Sequence, residues 1–264
     1  ISMQATVGDI KLAYSDEGRG TPLVFIHGFP LSRATWQKQV DALQANYRVI
    51  APDLRGLGES EGAGTVHTMA QFAADIHALL AQLNSGPVVL AGHSMGGYVA
   101  LAFARHYPDR LRGLVLVGTK AGADSPEAAA GRRATAEKVQ AQGSAVVVDA
   151  MAPRMLSAKN TDAQMAARVR QIMAASRPQG VIAALHGMAE RPDSTELLAQ
   201  IVAPTLVVTG ADDVIIPPAE SHKLAEAIKG ARLEIIPDAG HLVALEKPEA
   251  FNRALLAWLK SAGL

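Results

Sequence analysis

The 264-residue sequence contains no cysteine, which excludes disulfides, a thiol nucleophile and cysteine-ligated metal sites. It has no excess charge, because 25 Lys and Arg residues balance 25 Asp and Glu residues. We therefore expect neither nucleic acid nor an anionic membrane as a partner. No apolar run approaches the length of a membrane span, and the first residues contain no basic or apolar targeting segment. We expect a soluble cytoplasmic protein.

Sequence motifs for cofactors are also missing. Histidines and carboxylates do not recur at metal-ligand spacing, and neither G-x-G-x-x-G nor a phosphate-binding loop occurs. We therefore expect no metal and no cofactor. Residues 53–60 contain two glycines but lack the lysine and threonine of a phosphate loop. We interpret this segment as a structural loop in which Asp53 and Arg55 stabilise the edge of a site.

The sequence does contain enough apolar residues, 49%, for a substantial core. Short apolar runs of the kind that form buried strands alternate with helical patterns such as 69–83 and 248–260. The predicted strands are 4–7, 11–15, 23–26, 47–51, 88–91, 114–117, 206–209 and 233–236. This alternation predicts an α/β fold, with a mostly parallel sheet covered by helices on both faces and a hairpin at Gly8-Asp9.

The alternation stops between residues 120 and 200, where helical patterns alone occur. Helices are predicted at 125–142, 145–151, 179–190 and 194–200, and another behind the capping pair Thr161 and Gln164. We expect one discontinuous core, 1–119 with 201–264, and a helical cap at 120–200. Met151 and Met155 belong to this cap, and they either form an apolar wall over a substrate pocket or fill the interior of the cap itself.

The most informative motif is Gly92-His93-Ser94-Met95-Gly96, which has the form G-x-S-x-G and directly follows an apolar run. A serine on a sharp strand-to-helix turn has a strained backbone, and glycines two residues away on either side avoid a clash there. The apolar residues after the motif predict a buried helix, whose N-terminus favours an anion near the serine oxygen. Ser94 is therefore the candidate nucleophile.

A serine nucleophile needs a base within hydrogen-bonding reach and a carboxylate that orients this base. Of the eight histidines, only His241 follows the last predicted strand, so we assign it as the base. We expect supporting hydrogen bonds from His27 and His93. Asp212 and Asp213 both follow the strand 206–209, and only one of two adjacent carboxylates can point at the imidazole. The remaining histidines are expected on the surface or in the cap: His67, His77, His106, His186 and His222.

Together these motifs resemble the α/β-hydrolase family, in particular its small, cap-bearing carboxylesterases that use a serine nucleophile. The resemblance extends over nearly the whole chain, and its motifs lie at 27–30, 53–60, 92–97, 210–218 and 238–248. The family order of serine, acid and histidine is matched by Ser94, Asp213 and His241. The family pattern G-x-x-D-x-x-x-P selects Asp213, since it fits residues 210–217.

The resemblance also implies an oxyanion hole formed by two backbone N–H groups. Met95, directly after the nucleophile, provides one of them. Phe29 provides the other, because Pro30 has no N–H. The candidate substrate-binding residues are Pro30, Met151 and Met155.

The implied activity is hydrolysis of a small or medium carboxylic ester through an acyl-enzyme intermediate, with a small-molecule ester as the partner. The same motifs occur in lactonases, carbon–carbon bond hydrolases and cofactor-free haloperoxidases. Pro30 resembles the haloperoxidase and perhydrolase members, so these alternatives stay open. A non-catalytic ligand receptor is a further alternative, against which the complete triad counts. The sequence leaves the oligomeric state open.

Overall fold

Short apolar runs form one eight-stranded sheet in the computed structural model, which describes residues 2–264. The strand order is β1-β2-β4-β3-β5-β6-β7-β8, antiparallel at β1/β2 and β2/β4 and parallel elsewhere. The strands are β1 Met3–Val7, β2 Ile10–Glu17, β3 Pro22–Ile26, β4 Arg48–Pro52, β5 Val88–His93, β6 Leu111–Val117, β7 Thr205–Gly210 and β8 Arg232–Ile236. The predicted sheet is confirmed, including the hairpin, in which Val7 pairs with Ile10 across Gly8-Asp9.

Helices connect most of the parallel strands. Within residues 2–264 they are α1 Gln37–Leu43, α2 Met69–Gln82, α3 Met95–His106, α4 Pro126–Gln142, α5 Ala145–Met151, α6 Ala163–Ala174, α7 Pro178–Ala189, α8 Pro218–Ala227, α9 Val243–Glu246 and α10 Pro248–Ser261. None of the helices in this part of the chain is long and apolar enough to cross a membrane.

The side chains of each central strand alternate between two apolar layers, because successive residues of a strand face opposite sides of the sheet. In β3, Leu23 and Phe25 belong to the apolar cluster that includes residues of α1 and α10. Val24 and Ile26 belong to the cluster on the other face, which includes residues of α2, α3 and α8. This explains why the strands have continuous apolar sequences: both faces of the sheet are covered.

The helices α4 to α7 lie between β6 and β7, in the region predicted to form the cap. Helix α4 begins behind Ser125 and ends at Gly143, as predicted. Helix α6 corrects the prediction by one residue, because the side chain of Asp162, and not that of Thr161, accepts a hydrogen bond from Met165 N. The helix predicted at 194–200 is a 3₁₀ helix over residues 195–200.

Candidate active site

Ser94 lies at the sharp turn between β5 and α3, with φ 54° and ψ −117°. The turn requires glycine on both sides of the serine. A Cβ on Gly92 would lie 2.1 Å from the carbonyl oxygen of Gly96, and a Cβ on Gly96 would lie 2.3 Å from that of Ile26. This turn places Ser94 at the N-terminus of α3, where the partial positive charge of the helix favours an anion.

His241 and Asp213 form a buried pair at the same edge of the sheet. His241 Nδ1 lies 2.9 Å from Asp213 Oδ2, and the two side chains are 1% and 0% exposed. The other oxygen of Asp213 accepts hydrogen bonds from the amides of Ile215 and Ile216. The adjacent Asp212 points away, since its carboxylate accepts a hydrogen bond from the Ser157 hydroxyl at 2.6 Å. The geometry therefore distinguishes the two aspartates.

The loop of His241 packs against the strand that carries Ser94. His93 Nε2 donates to the carbonyl oxygen of His241 at 2.8 Å, and the centroids of their rings are 4.6 Å apart. Within residues 2–264, however, the Ser94 hydroxyl makes no hydrogen bond to His241 or to any other residue. The structure thus brings the loop of His241 against His93, the residue before Ser94, without a direct hydrogen bond between Ser94 and His241.

Two buried backbone amides next to Ser94 have the character of oxyanion-hole donors. Phe29 is 5% exposed and Met95 is fully buried. Neither N–H donates a hydrogen bond to any part of the chain that the structure describes. The loop of Phe29 lies close to the serine, because a Cβ added to Gly28 would be 3.1 Å from Ser94 Cβ.

The two histidines beside the motif residues are neutral structural supports. His27 donates from Nδ1 to Gly28 O and accepts from the Leu54 amide at Nε2. Burial lowers the pKa of His27, and burial lowers that of His93 well below its usual value.

The other histidines are not all superficial. His67 is 2% exposed and bonds through Nε2 to Ala63 O at 3.0 Å, which corrects the prediction of a surface or cap residue. The correction has a tertiary cause, because the backbone of cap helix α7 covers this histidine: His67 N donates to Ala183 O. His77 stacks on Tyr107 with a centroid distance of 4.0 Å.

The three candidate substrate-binding residues differ in exposure. Met155 exposes no surface and packs with Leu31 and Leu242, so its position favours the interior-filling alternative. Met151 is half-buried. It packs against the apolar cluster that contains Met155 and against the core layer that contains α3. Pro30 is buried, and its carbonyl accepts a hydrogen bond from Ser176 of the cap at 3.1 Å.

Two of the cavities between the predicted cap and the core lie beside Leu31 and Tyr98. One, of about 410 Å³, begins at Leu31 and extends between the loop of Ser32 and the cap residue Ile172. The other, of about 250 Å³, lies along α3 between Tyr98 and Arg191. Ser94 lines neither of these two cavities.

Two residues near the site were not predicted from the sequence. Thr119 is buried two residues after the end of β6, and its hydroxyl donates to the carbonyl oxygen of Ser94 at 2.7 Å. Glu246 is buried behind the loop of His241. The only local indication for Glu246 is an acidic residue at the end of the apolar run 242–245.

In the loop 53–60, Asp53 and Arg55 both form ion pairs. Asp53 accepts hydrogen bonds from the amides of Arg33 and Glu59, and its carboxylate is paired with the Arg33 guanidinium. Arg55 forms a buried two-point ion pair with Asp75 of α2. Among residues 2–264, no group of three or more His, Asp or Glu side chains is arranged to hold a metal ion.

A mostly parallel eight-stranded sheet, a strand–serine–helix turn and an adjacent Asp–His pair together define the class of α/β-fold hydrolases. The comparison with known families agrees. A family model described as "alpha/beta hydrolase fold" matches residues 21–248, and the chain belongs to this family.

Individual relatives span several activities. The chain is similar to the structure of a thermophilic esterase from Thermogutta terrifontis, with 43% identity, coverage of 99% of each chain and a TM-score of 0.96. It is similar to an enol-lactonase from Burkholderia xenovorans, with 28% identity, coverage of 98% and 100%, and a TM-score of 0.91. A non-heme haloperoxidase from Rhodococcus erythropolis is 34% identical, with coverage of 95% and 96%.

Proposed function

We propose that the protein hydrolyses small to medium carboxylic esters through an acyl-enzyme intermediate on Ser94. The observation that carries the proposal is the buried His241–Asp213 pair, 2.9 Å from ring nitrogen to carboxylate, beside the strained serine turn. A serine gains nucleophilicity from such a pair, because the carboxylate fixes the tautomer that leaves Nε2 free to accept a proton.

In the first half of the reaction, the Ser94 hydroxyl rotates towards His241 when substrate binds and attacks the ester carbonyl carbon. His241 takes the proton, and the amides of Phe29 and Met95 stabilise the tetrahedral oxyanion. Collapse of this intermediate expels the alcohol, which receives the proton from His241. In the second half, water attacks the acyl-enzyme by the same steps and releases the acid.

The similarity to the Thermogutta esterase supports the ester as substrate, since it extends over the whole chain at 43% identity. Pro30 and Met151 are the proposed substrate contacts and form the apolar wall of the binding site. Met155 lies in the buried cluster against which Met151 packs. The apolar side chains of the cap favour an uncharged acyl group. A small-molecule ester is the proposed partner, and the proposed reaction requires no cofactor.

The test is covalent labelling by a serine-directed phosphonate, combined with turnover of p-nitrophenyl esters of several acyl lengths. We expect labelling and turnover by the wild type at about pH 8, above the range in which histidines ordinarily titrate. Ser94→Ala should lose both, whereas Ser261→Ala, a change at the exposed end of α10, should keep both. Absence of ester turnover by the wild type across all acyl lengths would refute the proposal.

A perhydrolase activity is the second candidate, because the chain is 34% identical to a non-heme haloperoxidase and has a proline directly after Phe29. Hydrogen peroxide would replace water in the second half-reaction and release a peracid, which then oxidises halide. Halide oxidation in the presence of acetate and peroxide, lost in Ser94→Ala, would support it.

The enol-lactonase neighbour makes lactone opening the third candidate. The same acyl transfer applies, with a leaving group that stays attached to the acyl chain. Comparing lactones and open-chain esters on one preparation ranks the two reactions by kcat/KM.

A further inference from the structure

Glu246, at the end of α9, is a buried carboxylate that the proposed reaction does not use. It is 4% exposed. Its Oε1 accepts a hydrogen bond from Gly240 N at 2.7 Å, and its Oε2 accepts one from Asn160 Nδ2 at 2.7 Å. Ser157 N donates to both oxygens, at 3.0 Å to Oε1 and 3.1 Å to Oε2. Within residues 2–264 no cationic side chain pairs with it. Several neutral donors therefore converge on one carboxylate, which can only accept.

These donors come from two parts of the chain. Gly240 immediately precedes His241. Its hydrogen bond to the Glu246 side chain therefore links the two ends of the segment 240–246, which contains the proposed base. Ser157 and Asn160 belong to the cap, in the connection that precedes α6. Glu246 thus joins the base loop, residues 238–242, to the cap segment, residues 155–160.

The two segments also contact each other through their backbones. Leu242 N donates to Met155 O at 3.0 Å. A Cβ on Gly240 would lie 2.6 Å from Ser157 N, and a Cβ on Gly210 would lie 2.2 Å from Gly240 O. The end of β7, the base loop and the cap segment are therefore stacked without room for a side chain between them.

The cap segment also reaches the loop of the proposed acid. The Ser157 hydroxyl donates to Asp212 Oδ2 at 2.6 Å, and Asp212 precedes Asp213 in sequence. Asp212 N in turn donates to Ala239 O of the base loop at 2.8 Å. One turn of the cap thus bonds to the direct neighbours of both members of the Asp213–His241 pair.

We propose that Glu246 is a positioning residue, which sets the place of His241 relative to Ser94 and makes that place depend on the cap. This inference rests on the proposed function, in which His241 is the base. The imidazole is fixed by Asp213, and its backbone is fixed by Glu246 through Gly240. A displacement of about 1 Å between reacting groups lowers a rate about 100-fold, so the loop must be held firmly.

Glu246→Gln tests the proposal with almost no change in shape. Its amide oxygen still accepts from Gly240, but its amide nitrogen faces the donor of Asn160. We expect kcat for p-nitrophenyl acetate to fall about 10- to 100-fold, while KM stays within about twofold, because the base moves and the binding wall does not. The matched control is Glu249→Gln, the same change at an exposed position three residues further on, which should keep wild-type kcat.

A compensating variant separates positioning from general weakening of the fold. Asn160→Asp alone places a second carboxylate against Glu246 and should lower kcat. In the double variant E246Q/N160D, the glutamine amide can donate to the aspartate, so kcat should rise about fivefold or more above both single variants. If Glu246→Gln fails to fold, Asn160→Ala takes its place: a decrease in kcat of about threefold or more at constant KM supports the role, and an unchanged kcat overturns it.

The outcomes separate this inference from the proposed function. If the wild type turns over ester and Glu246→Gln keeps kcat within about twofold, the positioning role is wrong and the function stands. If kcat falls without recovery in the double variant, Glu246 only stabilises the fold, and the positioning role is again wrong. If the wild type shows neither phosphonate labelling nor turnover, the function fails and the positioning role fails with it.

Discussion

At the scale of single residues, the Asp213 carboxylate has two separate tasks. Oδ2 accepts from His241 Nδ1, and Oδ1 accepts from the amides of Ile215 and Ile216, which hold the carboxylate in place. This second set of bonds keeps Oδ2 directed at His241. In an asparagine at this position, only one of the two side-chain atoms is an oxygen. It could accept either from His241 or from the amides of Ile215 and Ile216, but not from both.

Asp213→Asn should therefore lower kcat by about 10⁴-fold, because an amide nitrogen directed at His241 Nδ1 stabilises the wrong tautomer. Steady-state kinetics with p-nitrophenyl esters measures this. Asp238→Asn is the control: it makes the same change in the base loop, but its side chain is 61% exposed and pairs only with Lys159. A similar loss in both variants would argue against a specific role for Asp213.

His93 gives a prediction for stability against pH. Burial lowers its pKa well below the ordinary 6.5, so below about pH 6.5 the unfolded state binds a proton that the native state does not. Its contribution to stability is complete above that pH and is lost as the pH falls towards the native pKa. His93→Gln should reduce the slope of the unfolding free energy against pH, by up to about 1.4 kcal/mol per pH unit. Urea unfolding between about pH 5 and 7 measures it, and equal slopes would contradict the prediction.

At the scale of elements, the cap helix α7 lies directly on the backbone of the core. A Cβ on Gly187 would be 1.7 Å from His67 O, and a Cβ on Gly180 would be 1.8 Å from Gly56 O. His67 N also donates to Ala183 O of the same helix at 3.0 Å. Small residues on one side of α7 thus set the distance between cap and core.

Gly187→Ala should destabilise the protein by about 1–3 kcal/mol, because the added methyl group has no space and backbone must move. Gly131→Ala is the matched control in α4, where an added Cβ meets nothing within 4 Å. It should stabilise the protein by about 0.5–1 kcal/mol through the higher helix propensity of alanine. Urea unfolding measures the change in unfolding free energy for both variants. Equal changes would show that the close contact between α7 and the core does not restrict the side chain at position 187.

At the scale of the whole molecule, the two ends of the cap insertion are joined by a buried ion pair. Asp124 follows β6 and Arg191 follows α7, and their side chains, 2% and 3% exposed, meet at 2.7 Å. Arg191 also lies over the ring of Tyr98 in α3 at 4.0 Å, and Arg132 of α4 bonds to the same aspartate. The predicted cap is thereby joined near its two ends and packs on α3, the helix that begins directly after Ser94.

Asp124→Ala should destabilise the fold by about 3–5 kcal/mol, because it leaves a buried guanidinium without its counter-charge. Asp149→Ala breaks a pair of the same chemistry on the cap surface, where the side chains of Asp149 and Arg170 are 71% and 48% exposed. It should cost less than about 1 kcal/mol. Thermal or urea unfolding distinguishes the two, and similar values would mean that water or backbone groups satisfy Arg191 without Asp124.

Features whose causes lie within a few residues can be predicted from the amino-acid sequence. Apolar runs such as 23–26 determine the strands, Ser125 and Gly143 set the ends of α4, and glycines around Ser94 determine the serine turn. Local patterns do not distinguish adjacent residues that can both cap a helix. The sequence therefore indicated Thr161, whereas the N-cap residue of α6 is Asp162.

The tertiary structure alone decided which distant groups meet. Asp213 bonds to a histidine 28 residues away, and Glu246 bonds to a cap amide 89 residues away. It also decided that His67 is buried and that Met155 packs inward. The physical reason is that burial and hydrogen-bond partners depend on which elements pack together through space, and a contact over such distances leaves no repeating pattern in the chain.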